Sequence, residues 1–199
     1  MGRSSSPVNH LARARGIRSI PTPPPQIATP FHTTLHTIPA FHGAPALLTE
    51  PLVTLSESST IAAVRLTIPR AAIQAEMGAA INEVLAALTA QSLRPAGPLI
   101  SHHLTLSSTT FDFEVGFPID GQLTPTGRVF QSSIPESKVL RAIYQGPYEG
   151  LFTAWSEFDR KVKALGRKVR PDIWERYLLG PESGPDASKY ITELNVPLA

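Results

Sequence analysis

The strongest constraint on the fold is an internal repeat of about 75 residues, within which one order of predicted elements occurs twice. Each copy contains a strand, a helix and two further strands. The copies also match in detail: "LRP" at 93–95 corresponds to "VRP" at 169–171, and "FEVGFPI" at 113–119 corresponds to "TELNVPL" at 192–198. The repeat is too long for a solenoid unit. We therefore predict two fused βαββ halves related by a pseudo-two-fold axis.

The first copy shows each periodicity clearly. Ser59–Pro69 is rich in β-branched residues, which favours a strand. Residues 70–91 have apolar side chains at helical spacing and precede Pro95 and Gly97, which predicts an amphipathic helix. Residues 98–106 and 110–119 follow as two strands, and the second alternates phenylalanine and valine with polar residues or glycine, as half-buried strands do.

The second copy repeats this order with a strand at 137–146, a helix at 147–166 and strands at 172–181 and 190–199. The predicted fold class is α+β, with an antiparallel sheet, two helices on one face and a ligand cleft between the repeats. We place the repeats at about 46–122 and 123–199. Residues 1–45 are proline-rich without a sustained period, which predicts a disordered segment.

Composition excludes several classes of function. The 199 residues contain no cysteine, which removes disulfides and thiolate metal sites. Residues 1–49 hold four arginines and no acid, so the net charge of +2 leaves about −2 for the remainder, which argues against direct nucleic-acid binding. No apolar run reaches the roughly 20 residues of a membrane helix. We expect a soluble, cytoplasmic protein without a membrane partner.

The basic start of the chain has a second interpretation. An arginine- and serine-containing segment without acids resembles an organellar transit peptide in composition, although its prolines disfavour an amphipathic helix. A disordered tail, or a start codon assigned too far upstream, explains the same residues.

Glu175 is the leading candidate for a functional residue. In a strand it shares a face with Tyr177, and Glu193 on the neighbouring strand and Tyr144 before the helix are placed in the same group. A carboxylate surrounded by aromatic rings suits a lipophilic cation, through Coulomb and cation–π attraction. The structural alternative is that Glu175 forms an ion pair with an arginine, Arg141 or Arg176, at the rim of the sheet.

The adjacent histidines His102 and His103 do not predict a metal site, because neighbouring strand residues point to opposite faces. Only His103 is expected to reach the cleft. The chain also has no GxSxG motif and no glycine-rich phosphate loop, and Gly146 is followed by Pro147, which has no N–H. We expect no cofactor and no metal.

Three segments, "YQGPYEGLFTAWSEF", "RPDIWERYLLGP" and "YITELNVPL", in this order resemble the GyrI-like effector-binding family, as in the ligand-binding domain of the regulator BmrR. The resemblance extends from about residue 46 to 199. It implies a duplicated βαββ (SHS2-type) fold, and a pocket between the repeats where a glutamate receives lipophilic, cationic drugs. Glu175 matches that glutamate. The pocket residues implied with it are Trp174, Tyr177, Tyr144, Tyr148, Glu193 and His103.

The sequence departs from the family pattern at two places. Gln145 replaces a histidine before "GPY", and Ile100 and His103 stand where an aromatic residue is expected in the first repeat. Residues 1–45 do not have the pattern of the helix-turn-helix domain that family regulators carry, so a stand-alone copy is expected.

Three functions are compatible with these observations. The first is a small-molecule binding protein that senses or sequesters a lipophilic, cationic compound. The second, implied by the resemblance, is a hydrolase of cyclopropane-bearing electrophilic toxins, with Glu175 as general base and Tyr177 or Tyr144 as hydrogen-bond donor. The third is a gyrase-inhibitor-like interaction module, ranked last because the folded part is only slightly acidic. The oligomeric state is left open.

Overall fold

The computed structural model describes residues 47–199, and the predicted N-terminal segment lies outside them. The elements follow the predicted order, with additional strands at the start of each repeat. They are β1 (Leu47–Leu48), β2 (Leu52–Ser56), β3 (Ser59–Pro69), α1 (Ile73–Ala90), β4 (Leu99–Leu106), β5 (Thr110–Pro118), β6 (Phe130–Ile134), β7 (Ser137–Gln145), α2 (Leu151–Ala164), β8 (Ile173–Leu179) and β9 (Ile191–Pro197). Short 3-10 turns precede both helices and lie between β8 and β9.

All nine strands form one antiparallel sheet in the order β1-β7-β9-β8-β4-β5-β3-β6, and β2 also pairs with β7. Each repeat contributes three adjacent strands, β3-β5-β4 and β7-β9-β8. The repeats meet where β4 pairs with β8, and Ser101 lies opposite Glu175 at the centre of that pair. The predicted α+β fold is confirmed.

Strands β2 and β6 were not predicted from the sequence, and they exchange partners between the repeats. Strand β2 leads directly into β3 but pairs with β7, whereas β6 leads directly into β7 but pairs with β3. The residues Ser56 and Ser137 face each other at one junction, and Ser59 and Ile134 at the other. The repeats are therefore joined by strand pairing at β2–β7 and β3–β6 as well as at β4–β8.

The helix-covered face of the sheet carries two hydrophobic clusters. Helix α1 packs on β3 and β5 around Val64, Val84 and Phe113, and α2 packs on β7 and β9 around Phe158 and Leu194. Both helices therefore cover the same face, as predicted, and each covers mainly its own repeat. The boundary between repeats, at β4 and β8, lies between the two helix-packed clusters.

The opposite, helix-free face has a third cluster drawn from both repeats. Its members lie on β3, β4, β6, β7 and β8: Ile61, Ala63, Ile100, Ile134, Val139 and Trp174. Side chains from both ends of the sheet pack together in this cluster. The sheet is therefore curled toward its helix-free face.

The two helices end differently. Beyond the end of α2, Gly166 has φ +60° and its N–H donates to the carbonyl of Lys163, as in a glycine-terminated helix. Helix α1 ends at Ala90, one residue before the end of the predicted segment 70–91; beyond it Ser92 adopts φ 56°, and the N–H of Leu93 donates to the carbonyl of Leu88. No helix among residues 47–199 is long and apolar enough to span a membrane.

Candidate functional site

Glu175 lies in the middle of β8, and its carboxylate faces the helix side of the sheet. Its side chain is buried, and three donors reach it. The indole Nε1 of Trp155, on α2, donates to Oε1 at 2.5 Å; the hydroxyl of Tyr177 donates to Oε2; and the hydroxyl of Ser101 donates to Oε2 at 3.3 Å. Residues from both repeats and from a helix therefore converge on one carboxylate.

All three donors to Glu175 are neutral. Within residues 47–199, no lysine, arginine or histidine forms an ion pair with this carboxylate. The arginines of the alternative interpretation, Arg141 and Arg176, contact Glu193 on the opposite face instead. The ion-pair interpretation of Glu175 is therefore wrong. Its hydrogen-bonding capacity is well used, while its charge has no cationic side-chain partner in this part of the chain.

The hydrogen-bond chain continues into the first repeat. Ser101 is bonded to Nε2 of His103 at 2.9 Å, and the imidazole stacks on Phe113 with ring centroids 5.1 Å apart. Burial lowers the pKa of His103, and this effect outweighs the opposing influence of Glu175. His103 therefore reaches the Glu175 site through Ser101, and its Nδ1 is buried without a partner in the described residues.

Tyrosines line the second-repeat side of the site. The ring of Tyr148 meets that of Tyr177 edge-on at 5.5 Å, and it lies 5.2 Å from that of Tyr190. Burial raises the pKa of Tyr148 to about 12, and the charges of Glu182 and Glu175 act in the same direction. Burial and Glu175 also raise the pKa of Tyr177 well above its ordinary value. These phenols are neutral at physiological pH and form an aromatic wall beside the carboxylate.

Tyr144 shares this face but has a different contact. Its hydroxyl donates to the carbonyl of Pro147 at 2.9 Å, which ties β7 to the turn before α2. Thr192 on β9 is paired with Tyr144 on one side and with Tyr177 on the other, and its buried Oγ1 has no hydrogen-bond partner among residues 47–199. The structure thus places Tyr144 near the site but gives its hydroxyl a backbone partner.

Two sequence-predicted site residues lie on the other side of the sheet. Glu175 stands opposite Leu194, so the next residue back, Glu193, stands opposite Arg176 and points away from the site. Trp174 is fully buried on the helix-free face, with its ring 5.9 Å from that of His102. The structure therefore separates Glu193 and Trp174 from Glu175.

Sequence reasoning missed Trp155 as a site residue. Trp155 lies on α2, where its side chain is partly buried and packs on Phe158. A buried indole N–H normally requires an acceptor, and this requirement was the available signal. Ser101, which donates to the same carboxylate, was also not predicted as a site residue.

The site offers no metal-binding arrangement in the described part of the chain. Among residues 47–199, no three histidine, aspartate or glutamate side chains come together so that they could hold a metal ion. The chemistry available at Glu175 is therefore that of one carboxylate, neutral donors and aromatic rings.

Comparison with known proteins identifies the family to which this architecture belongs. The family model described as the GyrI-like small molecule binding domain matches residues 51–199. No curated protein sequence matches the chain significantly. Solved structures do match: the C-terminal domain of EcmrR shares 18% identity at a TM-score of 0.62, covering 78% of this chain and 97% of that one.

Two further structures show the same fold. EcmrR in its DNA complex shares 15% identity at a TM-score of 0.67 and covers 77% of this chain, while this chain spans only 57% of its length. SAV2435 bound to tetraphenylphosphonium shares 14% identity at a TM-score of 0.58, covering 76% of this chain and 94% of that one. At such identities the likeness shows the fold alone, whereas the family model covers most of the chain. The chain belongs to the GyrI-like family of small-molecule binding domains.

Proposed function

We propose that this small-molecule binding domain takes up a lipophilic cation in the cleft between the helices, with Glu175 as the counter-charge. The observation that carries the proposal is a buried carboxylate with three neutral hydrogen-bond donors and no cationic side chain paired with it in residues 47–199. The function served would be sensing or sequestration of the compound.

The physical basis is the cost of an uncompensated buried charge. A carboxylate removed from water loses solvation, and neutral donors offset only part of that loss. A cation in the cleft would restore the missing Coulomb attraction in a medium of low dielectric constant. The rings of Trp155, Tyr148 and Tyr177 would add cation–π and apolar contact. A permanently charged cation with aromatic or aliphatic substituents fits this combination.

The likeness to SAV2435, solved with tetraphenylphosphonium, supports a ligand of this class only as an analogy of fold. The geometry itself favours binding over hydrolysis. Both oxygens of Glu175 already accept hydrogen bonds from Trp155, Tyr177 and Ser101. A general base would have to release one of these donors before it could orient a water molecule.

Titration with tetraphenylphosphonium by calorimetry tests the proposal. We expect saturable binding to the wild type and a loss of at least about tenfold in affinity for Glu175→Gln, since the variant removes the charge and keeps the shape. Glu114→Gln is the matched control, because Glu114 is a buried glutamate on the helix-free face that bonds Ser132 at 2.7 Å. Equal affinity for wild type and Glu175→Gln would overturn the proposal.

A further inference from the structure

The helix-free face carries a second charged group, in which two arginines share one carboxylate. Arg141 lies 3.3 Å and Arg176 lies 3.6 Å from the same oxygen of Glu193, Oε1. Asn195 joins them, accepting from Nε of Arg141 at 2.9 Å and donating to Glu193 at 3.1 Å. The group spans β7, β9 and β8, and it contains two positive charges for one negative charge.

The donors of these arginines are largely unused. Among residues 47–199, the guanidinium group of Arg176 donates no hydrogen bond, and its Nε is buried without a partner. Other arginines of the same region have carboxylates of their own: Arg65 bonds Asp112 through two nitrogens, and Arg128 bonds Glu83 in the same manner. Compared with Arg65 and Arg128, the group around Glu193 is therefore short of acceptors.

We propose that Arg141 and Arg176 bind a small oxyanion, the carboxylate or phosphate group of a small molecule, on the helix-free face. Planar guanidinium groups recognise such oxygens through paired N–H donors, and an anion would satisfy both the excess charge and the unused donors. The side chains of Arg141 and Arg176 are 22% and 32% exposed, whereas that of Glu193 is 7% exposed. The arginines can thus be reached from solvent while their shared carboxylate is covered.

The electrostatics of the arginines agree with this geometry. Burial lowers the pKa of Arg141, and the neighbouring charge of Arg176 lowers it further, against the opposing effect of Glu193. The positive charge of Arg141 is therefore unfavourable unless a further anion lies beside it. The adjacent positions across the strands are apolar, Leu52 beside Arg141 and Ile100 beside Arg176, so they add no acceptor.

The chain does not offer an obvious replacement for the anion. Residues 1–49 contain no aspartate or glutamate, and Glu50 is paired with Lys161 at 2.7 Å. The acceptor would therefore come from a separate molecule. Because Arg176 and Glu175 are neighbours in one strand, they project to opposite faces, and the oxyanion site is independent of the cation cleft.

The test is a titration of the ¹⁵N-labelled protein with inorganic phosphate and, separately, with acetate, at an ionic strength held constant with sodium chloride. We expect saturable shifts of the Nε–Hε signals of Arg141 and Arg176 with at least one of the two anions, and the stronger of them identifies the oxyanion class. Arg176→Gln should weaken binding about tenfold or more. Arg65→Gln, which removes an arginine paired one-to-one with Asp112, should leave it unchanged.

The proposal is overturned if neither anion gives a saturable shift in the wild type, or if Arg65→Gln weakens binding as much as Arg176→Gln does. If Arg176→Gln does not fold, Arg176→Lys replaces it as the test variant, because lysine keeps the positive charge but lacks the paired N–H donors of arginine. The titration of the wild type tests whether an oxyanion binds even if neither variant folds. The affinity for tetraphenylphosphonium tests the site at Glu175 on the other face. Each of the two proposals can therefore be refuted without affecting the other.

Discussion

The indole nitrogen of Trp155 and the carboxylate of Glu175 are joined by a 2.5 Å hydrogen bond that links α2 to β8. The helix therefore does more than cover the sheet, because it directs a donor at the charged residue of the cleft. A tryptophan can do this while contributing apolar surface, since only one atom of its ring system requires a polar partner. In the proposed function, this contact serves both folding and ligand recognition.

Replacement of Trp155 by phenylalanine should lower the free energy of unfolding by about 1–3 kcal/mol, because a buried carboxylate loses a donor. Equilibrium unfolding in urea measures the loss. The same replacement in a Glu175→Met background, where no carboxylate remains, should cost clearly less. An equal cost in both backgrounds would show that Trp155 stabilises the fold by packing alone.

Intrinsic fluorescence should report binding through Trp155 and not through Trp174, although the family resemblance implied Trp174 as a pocket residue. Trp155 contacts Glu175, whereas Trp174 is 1% exposed on the opposite face. Addition of tetraphenylphosphonium should change the emission of Trp174→Phe and leave that of Trp155→Phe nearly constant. If the emission change were absent in Trp174→Phe and present in Trp155→Phe, the ligand would lie on the helix-free face instead.

Alkaline pH should destabilise the protein partly through Tyr148. Burial, reinforced by nearby negative charge, raises its pKa to about 12 from the ordinary value of 10.0. The folded state thus holds this proton more tightly than the unfolded state does, so the stabilisation is complete below about pH 10 and is lost as the pH approaches 12. Tyr148→Phe should show a shallower fall in the free energy of unfolding from about pH 9 to about pH 12. Parallel curves for the two proteins would contradict the assignment.

Two glycines should respond in opposite ways to alanine. A Cβ at Gly150 would lie 2.0 Å from the hydroxyl of Tyr144 and displace its bond to Pro147, so Gly150→Ala should destabilise by about 1–3 kcal/mol. Tyr144→Phe in the same chain should recover part of the loss. Gly78, inside α1, has no atom within 4 Å of such a Cβ, and Gly78→Ala should stabilise by about 0.5–1 kcal/mol. Thermal unfolding of the three variants provides the comparison.

The repeat and the periodicities were sufficient for six of the strands and both helices, because these signals are local. A strand exposes alternate residues and a helix every third or fourth, whatever surrounds it. Strands β1, β2 and β6 escaped prediction, since all three are short and pair with the other repeat. Nothing within "LVTLS" or "FQSSI" specifies a partner so far along the chain.

The duplicated βαββ plan, the family, and the shared face of Glu175 and Tyr177 can all be inferred from the sequence. The residues that complete that face depend on how the strands and helices pack in three dimensions. Alternation is a property of one strand, whereas the register between strands depends on how the whole sheet packs. The register puts Leu194 opposite Glu175, and this sends Glu193 to the helix-free face with the arginines. The placement of α2 brings Trp155 to the carboxylate, a contact across 20 residues that no local pattern encodes.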